Sequence, residues 1–174
     1  MSRLVLMCGL PGSGKSTWAN GIMRIVTEDY VYISRDEIRF SLVAEGEEYF
    51  SQEDLVMDTF IKKIAAALKE DKTVIADATH LNSKSRNKVL YLLGFEKVKP
   101  DFIEVLYMKT PLETCLERNE LRKGTRGYVP RSVIHRMATS LQEPEYIEGM
   151  IEYDNIIIKE PNHIIRVKEK QNEM

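Results

Sequence analysis

Apolar positions along the chain fall into two alternating kinds of segment. Leu4-Val5-Leu6-Met7-Cys8, Tyr30-Val31-Tyr32-Ile33-Ser34, Thr73-Val74-Ile75-Ala76-Asp77 and Phe102-Ile103-Glu104-Val105-Leu106-Tyr107-Met108 are short, nearly continuous apolar runs. Runs of that length suit strands buried on both faces. Between them the spacing is helical. Trp18, Ile22 and Ile25 recur after the first run, and a helix is expected from about Asp36. Met57, Phe60, Ile61, Ile64 and Leu68 mark a long amphipathic helix that turns Lys62 and Lys63 to solvent, with Ser51-x-x-Asp54 in front of it resembling a capping box. A helix over 83–93 is expected to stop at Gly94. Thr110, Pro111 and Glu113 read as N-cap, N1 and N3 of the next. Pro130 opens a further helix with Val133, Met137 and Leu141 on one face, and 155–158 and 164–167 read as late short strands. Strands interleaved with helices predict an α/β fold, a mainly parallel sheet covered on both faces.

With 174 residues, 43% hydrophobic and 30% charged, this is the composition of one soluble globular domain, expected to bury roughly 70% of its unfolded surface. The domain is expected over 1–168, with a polar, frayed tail over 169–174. No apolar run approaches the roughly 18 residues of a membrane span, and the first strand leaves no room for a signal peptide. The two cysteines, Cys8 and Cys115, read as buried small hydrophobes, which favours a cytoplasmic location over a disulfide framework. A formal net charge of −2 argues against a broad basic coat, so any nucleic-acid contact must come from a local patch.

Candidate chemistry begins where the first strand ends. Gly9-Leu10-Pro11-Gly12-Ser13-Gly14-Lys15-Ser16 fits the phosphate-binding pattern G-x-x-x-x-G-K-S/T, and Thr17 follows. The glycines let the backbone curl so that successive N–H groups face phosphate oxygens, and the helix N-terminus adds partial positive charge. Lys15 is placed to reach the β/γ-phosphates and the Ser16 hydroxyl to ligate Mg²⁺. A chance glycine turn would lack the strand before and the helix after. The chain is therefore expected to bind a nucleoside triphosphate.

Ligands in such folds gather beyond the carboxyl ends of the strands. After the second strand, Ser34-Arg35-Asp36-Glu37-Ile38-Arg39 sets an acid and an arginine on one helical face. Asp36 could take a proton from an attacking hydroxyl while Arg39 holds a phosphate. The bland alternative is a helix-dipole acid and a solvated arginine. After the third strand comes Asp77-Ala78-Thr79-His80-Leu81-Asn82. Asp77 stands where an aspartate holds Mg²⁺ directly or through water. Thr79 and Asn82 offer hydrogen bonds or plain turn chemistry, and His80 reads as an exposed loop residue. No histidine lies at metal-ligand spacing, so no structural zinc is expected. Arg118, Arg122, Lys123 and Arg126 put four cations within nine residues, a candidate lid over a triphosphate, with Lys123 alone read as solvated surface. Arg35, Arg39, Lys84 and Arg86 are the nameable acceptor-side cations.

These four segments, in order over roughly residues 1–150, resemble the kinase domain of phage-type polynucleotide 5′-kinases, and 144–149 is similar to the ending of related kinase domains. The resemblance implies a P-loop NTPase of nucleotide-kinase type, a parallel sheet flanked by helices with a basic lid, using ATP and Mg²⁺. It assigns the nucleotide to Gly9, Pro11, Gly12, Ser13, Gly14, Lys15, Ser16 and Thr17, the general base to Asp36, and the acceptor's phosphate to Arg39 and Thr79, with Arg35 beside them. Arg118, Arg122 and Arg126 would clamp the donor. The lid is one residue longer than the phage pattern, so its catalytic arginine falls on Arg122, with Lys123 or Arg126 as alternatives. The Asp77-Ala78-Thr79 step is also one residue longer, which leaves open the exact role of Asp77 versus Thr79. An Asp-x-Asp phosphatase motif is absent, so a kinase domain alone is expected. The implied activity is transfer of the γ-phosphate of ATP to a 5′-hydroxyl of DNA or RNA, with no preference between the two and no oligomeric state fixed. Kinases of small metabolites, nucleotide sugars or aminoacyl-tRNA share parts of this pattern. An ATP-driven switch would need no Asp36.

Overall fold

The computed structural model describes residues 1–26, 29–144, 155–160 and 163–169. Its elements are β1 (Arg3–Cys8), α1 (Lys15–Met23), β2 (Tyr30–Ser34), α2 (Arg35–Leu42), α3 (Glu53–Lys69), β3 (Thr73–Asp77), α4 (Ser83–Phe95), β4 (Phe102–Tyr107), α5 (Leu112–Glu120), α6 (Arg131–Ser140), β5 (Asn155–Glu160) and β6 (His163–Glu169). They build one sheet in the order β2-β3-β1-β4-β5-β6. The first five strands run parallel and β6 returns antiparallel to β5. This is the expected α/β architecture.

Alternation along β1 explains how both faces are covered. Leu4, Leu6 and Cys8 point into a core with Val56, Phe60 and Ile64 of α3 and Val89 and Leu93 of α4. Val5 and Met7 point the other way, onto Ala19 and Trp18 of α1. Both cysteines are buried and unpaired, as expected.

Several boundaries differ from the sequence reading, each because a tertiary contact outweighs a local signal. Helix α3 starts at Glu53 behind Gln52, with no side-chain cap from Ser51. Helix α4 runs through Gly94, and the chain turns instead at Lys97 (φ 55°), where the Val98 amide donates to the Leu93 carbonyl. Burial of Leu93 and Val98 fixes that exit. Thr110 does not cap α5; its hydroxyl donates to the Ser13 carbonyl at 2.8 Å. Ile25 lies past the end of α1 and is exposed. In α6 the buried residue is Ile134, one position round from the predicted face. Strand β6 takes in Glu169, the first residue of the expected tail. The ending over 145–149 and residues 170–174 fall outside the described residues.

Two polar residues expected at the surface are core residues. Arg86 is buried, donating from Nη1 to the His80 carbonyl at 2.8 Å, so it is no acceptor-side cation. His80 is buried in the left-handed region (φ 38°), and its Nδ1 bonds the Met7 carbonyl at 2.7 Å. Burial pushes the imidazole down from its ordinary 6.5 to about 4. Between those values the unfolded chain binds more protons than the folded one, so stability falls as pH drops through the window. At about 1.4 kcal/mol per unit the loss reaches about 3 kcal/mol. His80→Asn tolerates the left-handed backbone and keeps an N–H toward Met7. Denaturant titrations between pH 7 and 4 should show a shallower loss of stability in this variant than in wild type; parallel curves would place the protonation elsewhere.

Candidate functional site

Between β1 and α1 the chain folds back so that several of its carbonyls meet side-chain donors. Gly12 (φ 80°) approaches α5 so closely that an added Cβ would lie 2.5 Å from the Cys115 carbonyl oxygen. No L side chain fits there without strain. Lys15 is buried and donates to the carbonyls of Gly9 (3.0 Å) and Leu10 (2.9 Å). Desolvation lowers its pKa, with Asp77 and Asp36 opposing. From α5 and the turn before it, Arg118 donates to the Gly12 carbonyl at 3.3 Å and Thr110 to that of Ser13. The Gly9 amide is held by the Thr79 carbonyl at 3.0 Å.

At the first turn of α1 the Ser16 hydroxyl donates to Asp77 Oδ2 at 2.7 Å. Tyr32, on the neighbouring strand, donates to the same oxygen at 2.7 Å. Burial and the Asp77 carboxylate push the Tyr32 phenol above its usual range, so it stays a donor. A hydroxyl and a buried carboxylate side by side form a hard-oxygen set that fits Mg²⁺, which takes one or two protein oxygens and completes its shell with phosphate and water. Among the described residues no trio of His, Cys, Asp or Glu forms a metal cage of its own.

Opposite the loop stands the first turn of α2, capped by Ser34, whose Oγ accepts the Glu37 amide. The Asp36 carboxylate is 66% exposed there. Its Oδ1 accepts from the Tyr49 hydroxyl at 3.0 Å and from Arg39 Nη1. Arg39 is buried and held by Glu53, through Nε to Oε1 (2.5 Å) and Nη2 to Oε2 (3.1 Å), and lies over the Tyr49 ring at 4.7 Å. Burial works against its charge, and the Glu53 and Asp36 carboxylates more than offset this. Arg35 Nη2 also donates to Glu53 Oε2, at 2.8 Å. Burial raises the Glu53 pKa, but the two arginines outweigh it and hold the group ionised.

One cavity of about 380 Å³ joins these parts. Pro11, Gly12, Gly14, Lys15, Ser16 and Thr17 line its donor side. Arg35, Asp36, Arg39, Asp77 and Thr79 line it together with Arg122, and Tyr49, Phe50, Glu53, Val129, Val133 and Met137 complete the wall. Gly9 and Ser13 shape the loop from behind. Fully buried Asn119 closes the lid loop, donating to the Val129 carbonyl (2.7 Å) and accepting its amide (3.0 Å). Of the lid cations, Arg122 faces the cavity and Lys123 is exposed away from it. Arg126 departs from the expected nucleotide contact. It donates to the carbonyls of Phe40 (3.1 Å) and Val43 (2.5 Å) and stacks on Phe40, tying the lid to α2. Sequence reasoning missed Tyr32, Tyr49, Glu53 and Asn119. Residues 51–54 read as capping chemistry, which hid Glu53; the aromatic pair Tyr49-Phe50 was a signal available in an otherwise patternless loop.

A family model described as an AAA domain matches residues 4–144. The chain belongs to this family. Relatives named as kinases match the chain as well, and the protein is accordingly a P-loop kinase, a nucleotide-binding phosphotransferase. It is 28% identical over 185 residues to the L-seryl-tRNA(Sec) kinase of Methanococcus maripaludis, covering 97% of this chain and 67% of that protein. It is 31% identical to a probable adenylyl-sulfate kinase of Halalkalibacterium halodurans (91% of this chain, 78% of the relative). It is 26% identical to a putative bifunctional polynucleotide kinase/RNA ligase of Autographa californica nuclear polyhedrosis virus, spanning 75% of this chain but 20% of that protein. A chain in the structure of the Pnkp1/Rnl/Hen1 RNA repair complex superposes with TM-score 0.67 at 25% identity, covering 81% of this chain and 44% of that one. No helix among the described residues of this AAA-domain kinase is long and apolar enough to cross a membrane.

The loop geometry generates a direct test. Strain of roughly 1–3 kcal/mol at a left-handed non-glycine residue predicts that Gly12→Ala weakens ATP binding about 5- to 100-fold. Lys15→Ala should remove phosphoryl transfer from a protein that stays folded by circular dichroism. Wild-type rates in Lys15→Ala, or unchanged ATP affinity in Gly12→Ala, would contradict the assignment.

Proposed function

We propose that the protein is an ATP- and Mg²⁺-dependent kinase that transfers the γ-phosphoryl group to the 5′-hydroxyl of DNA or RNA. The observation that carries this reading is the Asp36 carboxylate, exposed across one cavity from the phosphate loop and oriented by Arg39 and Tyr49. A switch or pure binding module needs no oriented base facing a donor. Beside Asp36 the Phe50 ring, 49% exposed, packs edge-on against Tyr49 at 4.7 Å. A flat apolar surface next to the base suits a nucleobase. Similarity to the viral putative polynucleotide kinase/RNA ligase and to the RNA repair complex supports the same acceptor. The seryl-tRNA kinase relative supports a second reading, an aminoacyl-tRNA acceptor.

In this mechanism the loop amides, Lys15 and Arg122 hold the triphosphate and neutralise charge that spreads over the transferring group. Ser16 and Asp77 would hold Mg²⁺, which would supply charge neutralisation at the donor phosphates. Asp36 accepts the proton of the attacking hydroxyl in line with the leaving group. Thr79 and Arg35 hold the acceptor's phosphate; Arg39, expected to share that contact, is taken up by Glu53 and Asp36 instead. Two to four phosphate contacts predict a shallow salt dependence, since single strands give a slope of roughly −0.7 per contact. We read 1–168 as a single kinase domain, and the buried thiols fit a reducing cytoplasm.

Asp36→Asn should lower kcat by about 10²–10⁴-fold with ATP affinity nearly unchanged. Radiolabelled ATP offered with 5′-hydroxyl oligonucleotides, seryl-tRNA, nucleosides and sugars identifies the acceptor. Equal kcat/KM for nucleoside and oligonucleotide, insensitive to salt, would reject a polynucleotide. Arg122→Lys keeps the charge and loses the fork. Transition-state arginines are worth roughly 10³–10⁵ in rate, so a loss of tenfold or less would move that role to another lid residue.

A further inference from the structure

Packing does not fix the direction of the Asp36 carboxylate, because the group is mostly exposed on the first turn of an eight-residue helix. Its hydrogen-bond partners do. A planar guanidinium offers two edges, and an unconstrained Arg39 could present an edge of two N–H groups to both oxygens of Asp36. That pairing would occupy the lone pairs a reacting hydroxyl needs. Glu53 sets the plane of the guanidinium. Its carboxylate takes the Nε/Nη2 edge of Arg39 at 2.5 and 3.1 Å, and in that plane Arg39 meets Asp36 through Nη1 and Oδ1 alone. Tyr49 donates to the same Oδ1. Both bonds fall on Oδ1 and none of these partners takes Oδ2, on a residue that lines the cavity.

Glu53 can set this orientation because it stands on a rigid support. It is the first residue of the 17-residue helix α3, whose Phe60 and Ile64 are fully buried against the sheet. Arg35 on Oε2 adds a second hold at 2.8 Å. With Asp36 the four groups balance two positive and two negative charges, so Arg39 stays ionised although buried.

We infer that Glu53 is a positioning residue of the phosphoryl-transfer reaction, acting through Arg39 to keep one oxygen of Asp36 free toward the acceptor hydroxyl. The inference rests on the reading of Asp36 as the base, and a double-mutant cycle separates the two. Glu53→Gln is isosteric but cannot take both N–H groups of the fork. With a 5′-hydroxyl oligonucleotide as acceptor, it should lower kcat roughly tenfold, a coupling within the usual range for residues in one network. ATP affinity measured by calorimetry should stay within about twofold, since no loop contact is touched. In the Asp36→Asn background the same substitution should cost almost nothing further, because the oxygen it protects no longer acts as a base. An equal fold-loss in both backgrounds would mean a merely structural role and would overturn the inference. An unchanged kcat in Glu53→Gln would overturn it as well. No rate loss in Asp36→Asn alone would instead overturn the assignment of the base, and the inference with it. If wild type ignores the oligonucleotide, the polynucleotide reading fails, and the same cycle run with whichever acceptor of the panel it does phosphorylate decides the role of Glu53.

Discussion

A loop that turns its amides toward a ligand must put its carbonyls somewhere, and the rest of this site depends on how that is done. Buried carbonyls without donors would each cost about 1–3 kcal/mol. Here the Lys15 ammonium serves Gly9 and Leu10, Arg118 serves Gly12, and Thr110 serves Ser13. Donors from three parts of the chain thus hold the loop in its curled shape from beneath. Two of those donors are cations, which places positive charge against the loop's carbonyls.

The opposite wall follows another rule. Two arginines and two acids sit within hydrogen-bond reach, of which Arg39 alone is buried, and ion pairs so open to water add little net stability. What such a network supplies is direction. Removing one partner leaves a charge without its counter-ion, so the four residues constrain one another. The wall is therefore oriented by charge, whereas the loop is shaped by backbone bonding.

The division between what was legible in the sequence and what was not follows from how far apart the cooperating residues lie. The strands, the long α3 face and the phosphate loop are written in contiguous residues, because period-two and period-3.6 burial and a glycine turn are local matters. The placement of Asp36, Asp77, Thr79 and Arg122 at one cavity followed from the rule that strand ends converge. Glu53 could not be read this way. Its partners lie 14 and 18 residues back on another helix, and the acid at a helix start already had a sufficient local explanation. His80 and Arg86 misled in the opposite direction: polar residues after a strand usually face water, yet these are buried and bond the carbonyls of Met7 and His80. Arg126 had the right charge in the right loop, but the free carbonyls at the end of α2 compete for it.

That last contact couples two halves of the molecule. Arg126 is bonded to the Phe40 and Val43 carbonyls, at the C-terminal end of the same helix whose first turn bears Asp36. A cation there offsets the negative end of the helix dipole. Any movement that lifts Arg126 gives those carbonyls back to water and loosens the last turn of α2. The covering loop and the helix that bears Asp36 are therefore joined through one cation, which closes the loop and caps the helix at once.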